Sequence, residues 1–118
     1  MEEKNIKDKK NEMNLKKDIA NLIGETVKEC YGVVGLTKVR SIKNQLVILK
    51  KENYVDGVLV FKGKDSKYDI DVHIVVAYGV KVSEVVNEVS KRIAYEANKK
   101  YGNVFGKVNV YVDDLLNL

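Results

Sequence analysis

The residues best placed to do chemistry are in the stretch DIDVH, residues 69–73. His73 is the single histidine of the chain, two residues after Asp71 and four after Asp69. Side chains alternate along a strand, so all three point the same way, with neighbours about 6.6 Å apart along the chain. Two carboxylates and an imidazole offer oxygen and nitrogen donors, and from that spacing long side chains can converge on one ion. A metal site also needs further ligands and groups that orient them, and the sequence identifies none. The same pattern describes a strand end that carries polar residues because it faces water. The spacing favours that second reading, so no metal or cofactor is expected.

Nucleophilic catalysis has less to work with. Cys30 falls on the apolar stripe of a helix, where a buried, inert thiol is the common case, and the histidine sits on a distant strand. Ser41, Ser66, Ser83 and Ser90 have explanations as caps, turn residues or helix surface. Gly32-Val33-Val34-Gly35 lacks a third glycine and no strand precedes it, so it is not a phosphate loop. The chain is not expected to be an enzyme.

The formal charge of +4 and the pI of about 9.0 are only mildly basic. The first seventeen residues hold six lysines against Glu2, Glu3, Asp8 and Glu12, which places half of that charge there. The remaining cations fall in small groups: Lys38, Arg40 and Lys43; Lys62, Lys64 and Lys67; Lys91, Arg92, Lys99 and Lys100. A small sheet with helices and scattered lysines is how some RNA-binding modules look. Yet no G-x-x-G loop joins two helices and no strand pairs aromatic stacking residues. A solvated charged surface is the favoured reading, with a nucleic-acid-binding module as the alternative.

These side chains must be positioned by a compact set of elements. Residues 1–13 are Lys, Glu and Asn with almost nothing to bury, and read as a disordered tail or a frayed helix start. Leu15, Ile19, Leu22, Ile23, Val27 and Cys30 then recur at helical spacing, with Asn14 as N-cap and Gly32 as stop. Gly24 inside this helix costs about 1 kcal/mol relative to Ala and marks a close approach to a neighbour. A short strand lies in GVVGLTKVRS. Ile42, Leu46 and Leu49 fit a short helix over 42–51 capped by Ser41, although QLVIL alone fits a strand. VLVFK at 58–62 reads as a strand, followed by a turn at 63–66 and a strand from Tyr68 to Tyr78.

A second long helix is expected from about Ser83, its N-cap, to Tyr101, with Gly102 as stop and Val85, Val89, Ile93 and Ala97 on its apolar stripe. VNVYV at 108–112 closes the order as strand. The predicted fold is α+β: a small mixed sheet of about four strands with two long helices on one face, in the order α-β-α(short)-β-β-α-β. No proline, repeat or low-complexity linker divides it, so residues 14–118 read as a single domain. One cysteine and no apolar run near 18 residues fit a cytoplasmic protein without an internal disulfide.

One face of the strand from Tyr68 is apolar throughout: Ile70, Val72, Ile74, Val76. If both long helices cover that face, Val75, Ala77 and Tyr111 lie on the other, joined by either Val58 and Val60 or Leu59 and Phe61. Together these form a candidate interface patch, or an ordinary core beneath the short helix 42–51.

Three stretches resemble the alkaline shock protein family of Gram-positive bacteria. They are IANLIGETVKECYGVVGL, SIKNQLVILKKENYVDGVLV, and YDIDVHIVVAYGVKVSEVVNEVSKRI followed by VNVYV. The resemblance covers about residues 15 to 115, and the middle stretch is most like the short, housekeeping-type subgroup. It implies a non-enzymatic protein of cell-envelope stress homeostasis that self-associates or docks on a partner, with indirect membrane association through an anchoring protein. Members commonly carry an aromatic where this chain has His73, which implies a residue chosen for shape. The resemblance carries over no catalytic or ligand residues.

Overall fold

The computed structural model describes residues 2–38 and 46–118, with side chains from residue 14 onward. A long helix α1, Glu2–Lys28, leads into strand β1, Val33–Leu36. A 3-10 helix at Lys51–Gly57 precedes β2, Val58–Lys62, and a shorter one at Lys64–Ser66 precedes β3, Tyr68–Ala77. Helix α2, Val82–Tyr101, then crosses to β4, Phe105–Leu116.

β3 organises the sheet. β4 runs parallel to it from Tyr68 to Ala77. β2 pairs antiparallel with residues 68–72 of β3, and β1 pairs antiparallel with residues 74–76. A strand has two edges, so β1 and β2 share one of them end to end and β4 takes the other. The sheet is therefore mixed, as expected.

The core forms where three apolar stripes meet. Ile70, Val72, Ile74 and Val76 are all fully buried on one face of β3. Against them pack Ile19, Ala20, Ile23 and Val27 of α1 and Val85, Val89, Ile93 and Ala97 of α2. Spacings of three and four put each set on one helical face, and burying a Val or Ile contributes about 1.5–3 kcal/mol. Both long helices thus cover the same face. Arg92 of α2 also reaches Glu29 just beyond α1, at 3.3 Å.

Several local expectations are corrected. The expected start of the short helix, with its cap Ser41, lies outside the described residues. Residues 46–50 are not helical. They run alongside β1, and the Leu49 N–H donates to the Leu36 carbonyl at 2.8 Å. Leu49 enters the core while Leu46, Val47 and Ile48 stay exposed, so the segment is neither helix nor an alternating strand. The helical turn comes later, as the 3-10 segment. α1 begins at Glu2, so the backbone of residues 2–13, read as a disordered tail or a frayed helix start, is helical. Lys and Glu are good helix formers, and the core-facing part of α1 anchors them. Asn14 is then interior and caps nothing. Lys81 rather than Ser83 precedes α2, with no side-chain cap. Gly102 does end α2, at φ +81, its N–H donating to the Asn98 carbonyl.

Gly24 marks a close approach, but to a ring. The buried Tyr54 of the 3-10 segment lies against it, and a Cβ at position 24 would sit 2.6 Å from Tyr54 Cγ. Gly24→Ala is therefore expected to lower stability by about 1–2 kcal/mol in urea unfolding, despite the helix propensity it gains. In a Tyr54→Ala background the same substitution should raise stability by up to about 1 kcal/mol. A gain in both backgrounds would contradict this packing.

Candidate interaction face

The face of the sheet away from the helices is set by cross-strand pairing. Val58 and Val60 are buried in the core, so Leu59 and Phe61 join the second face, beside Asp71 and Asp69. On the other side of β3, Asp71 pairs with Asn109 and His73 with Tyr111. Between Ile74↔Val112 and Val75↔Asp114 the register shifts, leaving Asp113 as an extra residue on β4. A bulge of this kind re-aims a side chain. Here it brings the Asp113 carboxylate to His73 Nδ1, at 2.9 and 3.1 Å. The His73 ring also stacks on Tyr111, with centroids 4.9 Å apart and planes 17° apart.

The three residues of the DIDVH stretch therefore go to three separate partners. The backbone N–H of Lys107 donates to Asp69 Oδ1 at 2.8 Å. The Asn109 side-chain amide donates to Asp71 Oδ1 at 2.9 Å. His73 takes Asp113 and Tyr111. Each contact ties β3 to β4, and together they form a polar ladder across a parallel strand pair. Among the described residues, no group of three potential ligands gathers around a point. Addition of Zn²⁺ or Ni²⁺ is expected to leave the melting temperature unchanged; a stoichiometric rise would contradict the ladder.

Of the three residues expected at an interface, Val75 is fully buried, Ala77 is half-buried and Tyr111 is 44% exposed. Gly35 lies beside Val75, and a Cβ there would meet Ile48 Cγ2 at 2.8 Å, so Ile48 closes over this end. The apolar surface left to solvent belongs to Leu59, Phe61, Tyr111 and Ile48. The polar row of β3 runs between Leu59 and Phe61 on one side and Tyr111 on the other, so the surface is mixed and not one apolar patch. Among the described residues no helix covers it.

Two concavities lie at the end of the sheet where β3 begins. One, about 280 Å³, is almost wholly apolar and is lined by Leu15, Ile19, Val60, Tyr68, Tyr101, Val104 and Phe105, with Lys16 among them. The Tyr101 hydroxyl is buried without a hydrogen-bond partner. The other, about 530 Å³, is bordered by Lys62, Lys64, Lys67 and Lys107 with Asp65 and Asp69. It gathers one of the lysine groups seen in the sequence. Of another group, Arg40 and Lys43 fall outside the described residues. Cys30 is buried just past the end of α1 and its thiol donates weakly to the Thr26 carbonyl. Burial pushes that thiol up from its ordinary value, nearby Arg92 pulls it down, and Glu88 and Glu29 push it up. A thiol held in its protonated form is a poor nucleophile.

Residues 5–116 match the alkaline shock protein family, described as having a cell envelope-related function. The chain belongs to this family. Among its relatives is uncharacterized protein Spy1614 of Streptococcus pyogenes, 38% identical over 98 residues, or 82% of this chain and 80% of that protein. Another is uncharacterized protein YloU of Bacillus subtilis, 39% identical over 95 residues, or 80% of this chain and 78% of that one. Both relatives come from Gram-positive bacteria. Among solved structures, the chain is similar to variants of the MamM CTD. One is 13% identical with a TM-score of 0.47, covering 82% of this chain and 92% of that one. No helix among the described residues is long and apolar enough to cross a membrane.

Sequence reasoning missed Asp113 and Asn109 as the partners of His73 and Asp71. The signal was present as alternation. Asn109, Tyr111 and Asp113 repeat every second residue, as Asp69, Asp71 and His73 do, and a parallel pairing brings the two polar rows together.

Proposed function

We propose that this is a non-enzymatic interaction protein of cell-envelope stress homeostasis that works by self-association or by docking on a partner protein. Residues 14–118 act as one unit. The protein is cytoplasmic and meets the membrane only through such a partner. Membership of an envelope-related family supports the setting. One structural observation carries the mode of action. The helices are spent on one face of the sheet, while the other face and the outer edge of β4 are left bare among the described residues. An exposed sheet with Leu59, Phe61 and Tyr111 at the surface is a place for another protein to sit.

The polar ladder fits this reading better than a catalytic one. Its groups are engaged in holding β4 to β3: Asp69 accepts from the Lys107 N–H, Asp71 from the Asn109 amide, and His73 meets Asp113.

Sedimentation velocity of the pure full chain, followed over about a hundredfold range of concentration, tests the proposal. The weight-average mass is expected to rise with concentration. A strict monomer throughout would remove self-association from the account.

A further inference from the structure

The outer edge of β4 is complementary to itself. β4 is twelve residues long and, among the described residues, pairs only with β3. Every second residue of β4 therefore turns its backbone N–H and C=O away from the sheet, and an edge of this kind is a template for another strand. Register shifts mark both ends of its middle stretch, at Gly106–Lys107 and at Asp113, and between them VNVYV has regular pairing with β3 and neither proline nor glycine. Charge flanks VNVYV, as Lys107 before it and Asp113 and Asp114 after it.

Lys107 and Asp113 have opposite sign and are equidistant from Val110. If two copies of β4 meet antiparallel about a two-fold axis at Val110, Lys107 of each lies opposite Asp113 of the other. Val108 then lies opposite Val112, Asn109 opposite Tyr111, and Val110 opposite itself. Face is conserved as well. Val108, Val110 and Val112 share the helix-covered side, yet all three are only half-buried in the single chain. Pairing would set six valines side by side and complete their cover. Lys107 and Asp113 share the other side with Tyr111. Moving the axis by one residue destroys the match: centred on Tyr111, Lys107 meets Leu115, and centred on Asn109, it meets Tyr111. Lys107 is exposed and makes no ion pair among the described residues.

We infer that the protein self-associates edge to edge through β4, as a two-fold pair in the register Lys107–Asp113, Val108–Val112 and Val110–Val110, so that two sheets become one. This rests on the self-association proposed above and names its geometry. In this pair Asp113 keeps His73 as its partner within the chain and meets Lys107 of the second copy from the outer side.

Charge reversal tests the register. Lys107→Asp leaves the backbone bond to Asp69 in place, because that bond uses the main-chain N–H. Each of Lys107→Asp and Asp113→Lys replaces two attractions by two repulsions, and each is expected to weaken association roughly tenfold in sedimentation. Mixing the two single variants should restore it, since every 107–113 contact between unlike copies is again of opposite sign. Circular dichroism of each variant alone separates loss of pairing from loss of fold, and Lys107→Asp with Lys107→Gln covers the case in which Asp113→Lys does not fold. If the wild type associates and neither reversal changes it, or if mixing restores nothing, the edge register is wrong while self-association stands. If the wild type is a monomer, the broader proposal falls first.

Discussion

The apolar face of β3 is the constraint on which the rest depends. Ile70, Val72, Ile74 and Val76 have no surface left exposed, and between them stand Asp69, Asp71 and His73 on the opposite side. Because side chains alternate strictly, a slip of one residue would turn two carboxylates and an imidazole into the core. Burying carboxylates without partners costs several kcal/mol, so no such slip is tolerated. The register of β3 is thereby fixed, and with it the face that the helices cover.

Everything else is arranged around that choice. β1 and β2 occupy one edge of β3, so the crossover through α2 can deliver β4 only to the other. Parallel pairing then brings the polar positions of β4 opposite those of β3, and the ladder of Asp69, Asp71 and His73 with Lys107, Asn109, Asp113 and Tyr111 follows. These contacts hold β4 in place without a helix over them. The residues that first suggest a reactive centre are thus the attachment of an edge strand.

Much of this was legible from residue patterns. The stripes of both helices, the strands at 58–62 and 68–77, and the stop at Gly102 are all local signals of periodicity or of glycine. Misreadings came where tertiary contacts overrode local preference. Leu46 to Leu49 fit a helix by spacing, but the edge beside β1 offered hydrogen bonds and Leu49 a place in the core. Ser83 has the chemistry of a cap, yet α2 begins one residue ahead of it. Gly24 announced a close neighbour without saying that it was the ring of Tyr54, thirty residues on. The candidate face was half legible: alternation separated Val75, Ala77 and Tyr111 from the core side. Only the pairing register put Leu59 and Phe61 on the same face, across the polar row from Tyr111, and showed Val75 to be covered.

Amide hydrogen exchange along β4, measured residue by residue in dilute and concentrated solutions of the intact chain, bears most directly on an exposed edge that serves for assembly. In dilute solution the amides between residues 107 and 113 should divide into slow ones, bonded to β3, and fast ones, facing outward. Concentration should slow the fast set alone. Outward amides that exchange equally fast at both concentrations, in a sample whose mass has doubled, would mean that the copies join elsewhere and that β4 is not the seam.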